Sequence, residues 1–167
     1  MSRPLVLAAV LPALALAGCA GTPEVNGAVG ITVTADGAPV AVVEICRGSV
    51  QELGVAGPNR GQQPNEVHAD LVAAAPVRAS TTVVLAAPGE DWQGTPLRAP
   101  LDDDLYVVLA GDHEEDSELT QADFRVAELD ALTPDTVQYS VYDDDRGPRS
   151  VQAPLADFHD LACRTRG

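Results

Sequence analysis

The chain has 167 residues, with 25 Asp and Glu against 10 Lys and Arg, and a formal net charge of −15 at pH 7. All ten cations are arginine, which excludes lysine Schiff-base chemistry, and a charge of this sign excludes a basic patch that would hold nucleic acid. Aromatics make up 4% of the chain beside 14 glycines and 13 prolines; with abundant valine this composition predicts a β-rich domain with many turns.

The first element is Met1 to Cys19. Arg3 supplies a short positive start, and the thirteen residues Leu5 to Ala17 are mostly apolar. That run is shorter than the roughly 20 residues a spanning helix needs, and has the length of a signal-peptide core. Leu16-Ala17-Gly18-Cys19 resembles the lipobox of bacterial lipoproteins. The resemblance implies a diacylglyceryl group on the Cys19 thiol, cleavage after Gly18, and a mature chain that starts at Cys19. Two acyl chains give stable anchoring where one does not. Residues 1–18 are thus expected to be a removed signal peptide and 19–27 a lipidated tether, leaving a single domain over 28–167. Removing residues 1–18 deletes Arg3 and no acid, taking the net charge from −15 to −16.

Val29 to Thr34 alternates as a half-buried strand should. Asp36-Gly37 signals a hairpin that Ala38-Pro39 lengthens, and Val40 to Cys46 returns as a second strand. Residues 47–66 read as a long loop. Strands are predicted at 67–74 and 78–86, and another loop runs from Pro88 to Pro100 with the single tryptophan, Trp92. Leu105 to Ala110 is continuously apolar, as for a central strand covered on both faces. Strands at 124–129 and 137–142 and a short edge at 149–152 follow. Pro154 opens a short helix with Leu155, Phe158 and either Leu161 or Ala162 on one face. Seven or eight short strands with regular turns predict an all-β, two-sheet antiparallel sandwich of immunoglobulin/fibronectin III-like type, with one short C-terminal helix. Leu132, Pro134, Thr136 and Tyr139 are similar to the leucine-proline-threonine-tyrosine corner of fibronectin type III domains. There the tyrosine follows the threonine by two residues; here it follows by three, and a one-residue slip turns a side chain to the other face.

With Cys19 lipidated, Cys46 and Cys163 are the only thiols left, and outside the cytoplasm a disulfide between them is expected. It would close a loop of 163 − 46 = 117 residues. A zinc pair completed by His159, or two free buried thiols, are the alternatives.

Of the acidic stretches, Asp112 to Asp123 comes nearest a calcium loop, with acids at Asp112, Glu114, Asp116 and Asp123. Ser117 stands where an EF-hand has glycine, and Asp123 where it has glutamate, so the loop reads as an irregular cation site or as a solvated hairpin. Asp102 to Asp104 and Asp143 to Asp145 are two further clusters beside strands. The three could gather at one end of the sheets, or could simply keep a tethered β protein soluble. His68 falls in a strand as a surface or edge residue, and His113 is a pH-sensitive contact within the acidic loop. Trp92 is a sugar-stacking platform or a core plug. There is no nucleophile elbow, no zinc helix and no phosphate loop.

These residues describe a lipid-anchored binding or structural module on the extracytoplasmic face of the cell membrane, not an enzyme and without a resident cofactor. Its expected partners are the membrane, through Cys19, and an envelope protein. It resembles the small envelope lipoproteins of high-GC Gram-positive bacteria (actinobacteria), on the lipobox, the composition and the Cys46/Cys163 pattern. Two alternatives stand beside this reading: a calcium-binding module using the acidic loops, and an envelope hydrolase whose Ser/His/Asp set assembles only in the fold.

Overall fold

The computed structural model describes residues 25–58, 60–98, 101–112, 117–143 and 145–164. Its opening hairpin joins β1 (Val25–Val33) to β2 (Pro39–Ile45), paired from Gly27↔Ile45 to Val33↔Pro39. The turn between them is closed by Thr34 N–H donating to Ala38 O at 2.9 Å, and Gly37 takes φ 85°. A three-residue loop whose last residue is left-handed is one of the common hairpin solutions, and glycine reaches that φ without strain. β1 begins inside the stretch read as a tether: Asn26 O already accepts Cys46 N–H at 2.8 Å.

Two antiparallel sheets form around this hairpin. One has the order β5 (Thr81–Val84), β2, β1, β10 (Thr136–Asp143), β11 (Gly147–Pro154). The other runs β6 (Trp92–Thr95), β4 (Val67–Val77), β3 (Val50–Ala56), β7 (Leu105–Asp112), with β8 (Ser117–Thr120) and β9 (Ala122–Arg125) sharing the outer edge of β7. A short parallel pairing of Val25 with Glu118 and Ala28 with Thr120 joins the sheets along one side. The start of β1 therefore pairs across the sandwich, while Gly30 and Ile31 pair with Tyr139 and Gln138 of β10.

The main core lies between the sheets. Val29, Ile31, Ala41 and Val43 face Leu53, Leu71, Val108 and Phe124. A second apolar cluster lies on the outer face of β1, β2 and β10, where α2 (Leu155–Arg164) packs Phe158 and Ala162 against Ala28, Val42 and Val137. The helix begins directly after β11, its Leu155 N–H donating to Asp135 O at 2.7 Å. Phe158 is fully buried and sits over Gly30, where a Cβ would lie 3.2 Å from the Phe158 ring and 2.3 Å from Val137 Cγ2. Glycine is required at that position because the Val137 side chain of β10, with the Phe158 ring of α2 above it, fills the space a side chain would take.

Several expected elements differ, each for a physical reason. The loop expected at 47–66 contains β3, a central strand. Its register shifts between Val50 and Glu52 and again between Val55 and Ala56, so its buried residues fall at Val50, Leu53, Val55 and Ala56 and break the period of two. The loop around Trp92 contains β6. The strand expected at 124–129 stops at Arg125, where α1 (Val126–Leu129) makes one helical turn; Glu128 carboxylate accepts Arg125 N–H at 2.9 Å. The apolar run Leu105 to Ala110 is covered on one face only: Tyr106, Val108 and Ala110 point inward, whereas Leu109 is 44% exposed. The strands covered on both faces are β1 and β2, by the opposite sheet and by α2. Tyr139, three residues after Thr136, faces outward, with its ring centroid 5.0 Å from that of Phe158. The intervening Gln138 turns inward instead and is 2% exposed.

Candidate functional site

Cys46, just past the end of β2, and Cys163, in the last turn of α2, form the expected disulfide, with Cα atoms 5.5 Å apart. Beside it lies a polar cluster that spans three elements. Glu44 is the one acid in the apolar run of β2, and it is 7% exposed on the face covered by α2. Its Oε2 accepts the Ser80 hydroxyl and lies 2.8 Å from Nδ1 of His159. The Ser80 Oγ to His159 Nδ1 separation is 3.4 Å. A serine, a histidine and a carboxylate thus do assemble only in the fold. Their geometry is a clamp and not a relay: hydroxyl and imidazole converge on one carboxylate oxygen through the same ring nitrogen. A relay needs the serine on one nitrogen and the acid on the other. The clamp ties β2, the β4–β5 connection and α2 together, and it satisfies a carboxylate that burial would otherwise penalise.

The acidic residues divide between the two ends of the sandwich. Asp102 to Asp104 lead into β7 and Asp112 closes it, so they are separated by the strand's eight residues, about 27 Å at 3.4 Å per residue. Asp143, which ends β10, and Asp145, whose N–H donates to it, lie at the Asp112 end, with the start of β1 and the disulfide. The three clusters therefore do not gather at one end. Within the candidate calcium loop, Asp112 is 5% exposed and accepts the buried Ser49 hydroxyl at 2.9 Å. Asp123 pairs opposite Val107, five residues back along β7 from Asp112, or about 17 Å. Burial, and then the charge of Glu128, push its carboxyl pKa upward, opposed by a hydrogen bond from Ser140. Glu114, Asp116 and His113 lie outside the described residues, as does Cys19. Among the described residues, no three His, Cys, Asp or Glu side chains are grouped to hold a metal ion, and no helix is long and apolar enough to cross a membrane. Trp92 is 8% exposed in the main core and offers no stacking platform.

A cleft of about 210 Å³ opens at the end of the sandwich opposite the disulfide. The β3–β4 connection contributes Arg60 and Glu66 to it, the start of β4 His68, and the lead-in to β7 Asp102, Asp104 and Tyr106. The floor is an aromatic column: His68 meets Tyr106 edge-on at 5.0 Å, and Tyr106 stacks on the fully buried Phe124 at 5.5 Å. Tyr106 hydroxyl donates to Asp102 O at 3.2 Å, and Asp104 N–H donates to the same carbonyl at 2.8 Å. Arg60 bridges the cleft to Asp104 at 2.7 Å. The Leu105 N–H hydrogen bond chiefly, and Arg60 as well, hold the Asp104 carboxyl below the usual carboxylate range. Burial, then the Asp102, Asp104 and Glu66 charges, push the Tyr106 phenol upward.

His68 and the Asp102–Asp104 run stood out in the sequence. Arg60, Glu44 and Ser80 did not, and His159 stood out only as a zinc partner for the two cysteines, although a lone glutamate inside VAVVEIC was a usable signal for Glu44, since a buried acid needs partners. Fold and site together define a disulfide-closed β-sandwich with one helix on its outer face and an acidic cleft at one end. No protein-family model, curated protein or solved structure matches the chain.

Proposed function

We propose that the protein is a lipid-anchored extracytoplasmic module of the cell envelope that serves as a binding or scaffolding domain. The observation that carries this reading is the Cys46–Cys163 disulfide, a bond that persists in oxidising compartments and is rare in the cytosol. The lipobox Leu16-Ala17-Gly18-Cys19 agrees with it independently. Topology adds support: β1 starts at Val25, six residues after Cys19, at the same end as the disulfide. A lipid on Cys19 would hold that end towards the membrane and leave the cleft at the opposite end, a strand length away, open to a partner.

The test is a Cys19→Ser variant followed by fractionation. The parent chain should partition with membranes and carry a diacylglyceryl mass increment on its N-terminal peptide, and the variant should leave the membrane fraction. Retention of the variant in membranes would refute the anchor.

A further inference from the structure

We propose that the cleft opposite the disulfide binds an organic cation, an ammonium or guanidinium group of lysine or arginine size. This deepens the binding-module reading and rests on it. The cavity is built into the fold. Gly57 gives the His68 ring its place: a Cβ there would lie 3.1 Å from His68 Nε2. The floor beneath is rigid because the His68–Tyr106–Phe124 column continues into the core. The Tyr106 hydroxyl pins the Asp102 carbonyl, and with it the backbone that carries both carboxylates. A site organised before its ligand arrives loses less entropy on binding.

The sign of the ligand follows from the lining. Among the charged side chains of the lining, Glu66, Asp102 and Asp104 oppose Arg60 alone, an excess of two carboxylates. Arg60 is already held by Asp104, so an anion would have to break that pair and then sit against the other two carboxylates. Burial first, and then the charges of Asp102, Asp104 and Glu66, push the Tyr106 phenol upward, so the three acids act on the same space. A bare metal ion fits poorly, since it needs oxygens at about 2.3–2.6 Å. The space here, about 210 Å³, equals several waters at about 30 Å³ each. A planar guanidinium or an ammonium on a short aliphatic stem fills that space, with the stem against the Tyr106 and His68 rings.

The test uses the full chain in nonionic detergent, titrated by NMR with N-acetyl-arginine amide. Its neutral isostere N-acetyl-citrulline amide, N-acetyl-glutamate amide and the peptide acetyl-Gly-Arg-Gly-amide are titrated in parallel. The arginine amide should bind at least tenfold more tightly than the citrulline or glutamate compounds, with shifts centred on His68 and Tyr106. Glu66→Gln and Asp102→Asn should each weaken it about two- to fivefold, the range for exposed ion pairs, and added salt should weaken it further. Both variants sit on the surface, and an unchanged melting temperature shows that they fold. Tighter binding of the peptide identifies a basic side chain of a partner polypeptide as the source, and equal binding identifies a free cation. Equal affinity for arginine and citrulline, no saturable binding, or indifference to both substitutions would overturn the proposal. Cys19→Ser fractionation reads the anchoring separately, so either idea can fail alone.

Discussion

Removing the Cys46–Cys163 bond by the double substitution Cys46→Ala/Cys163→Ala should produce an ordered, two-step loss of stability. The bond spans 117 residues, and the chain-entropy model rates a loop of that length at about 5 kcal/mol. Domains of this size are stable by about 5–15 kcal/mol in total, so the bond is a large share of the margin. With a urea dependence of about 2 kcal/mol per molar, the midpoint should fall by about 2.5 M. The order of events follows from packing. Without the bond, α2 is held by Phe158, Ala162 and the Glu44–His159–Ser80 clamp, whereas the sandwich keeps its whole inter-sheet core. Helix amides should therefore exchange with solvent at lower urea than strand amides, as a unit of low local stability. Two probes separate the steps: fluorescence of Trp92, which lies in the inter-sheet core, and hydrogen exchange of the α2 amides. A midpoint shift below about 0.5 M, or α2 protection that tracks the Trp92 transition, would refute the argument.

Gly30→Ala should destabilise the protein by about 1–3 kcal/mol through overpacking, because its Cβ would lie 2.3 Å from Val137 Cγ2; an unchanged thermal midpoint would refute the close approach of β1 to β10. Asp123→Asn should raise the melting temperature at pH 7. The folded-state pKa of Asp123 is raised above its ordinary 3.8, chiefly by burial, so the ionised carboxylate subtracts stability at neutral pH. That penalty is relieved as pH falls through the raised value and is gone below 3.8, so the advantage of the variant should shrink with acidification and vanish there. A constant advantage from pH 3 to pH 7 would show that charge is not the cause.

The period-two segments and their turn signals were legible in the chain. Val29 to Thr34, the Asp36-Gly37 turn, Val40 to Cys46 and the helix that starts at Leu155 all correspond to elements of the fold, because each is fixed by neighbours a few residues away; of Leu161 and Ala162, the structure buries Ala162. The disulfide followed from counting. β3 was not legible, since its bulge shifts the buried positions out of period. Nor was the single helical turn at Val126 to Leu129, which the Glu128 carboxylate stabilises at Arg125 N–H. The unbroken apolar runs were ambiguous by themselves: Leu105 to Ala110 and Val40 to Ile45 look alike as strings, and only the docking of α2 covers β2, with β1 beside it, on both faces.

By itself, then, the sequence determined the charge, the alternation that makes sheets, the apolar opening run that ends on Cys19, and the pairing open to Cys46 and Cys163. The tertiary structure alone decided which polar groups meet. Glu44, Ser80 and His159 are brought together from positions up to 115 residues apart, and Arg60 reaches Asp104 across 44. It also divided the acidic runs between opposite ends of the sandwich, which no local pattern encodes. Local order comes from backbone preferences and side-chain period over a few residues. A site comes from strand register and sheet order, which depend on the burial of the whole core at once.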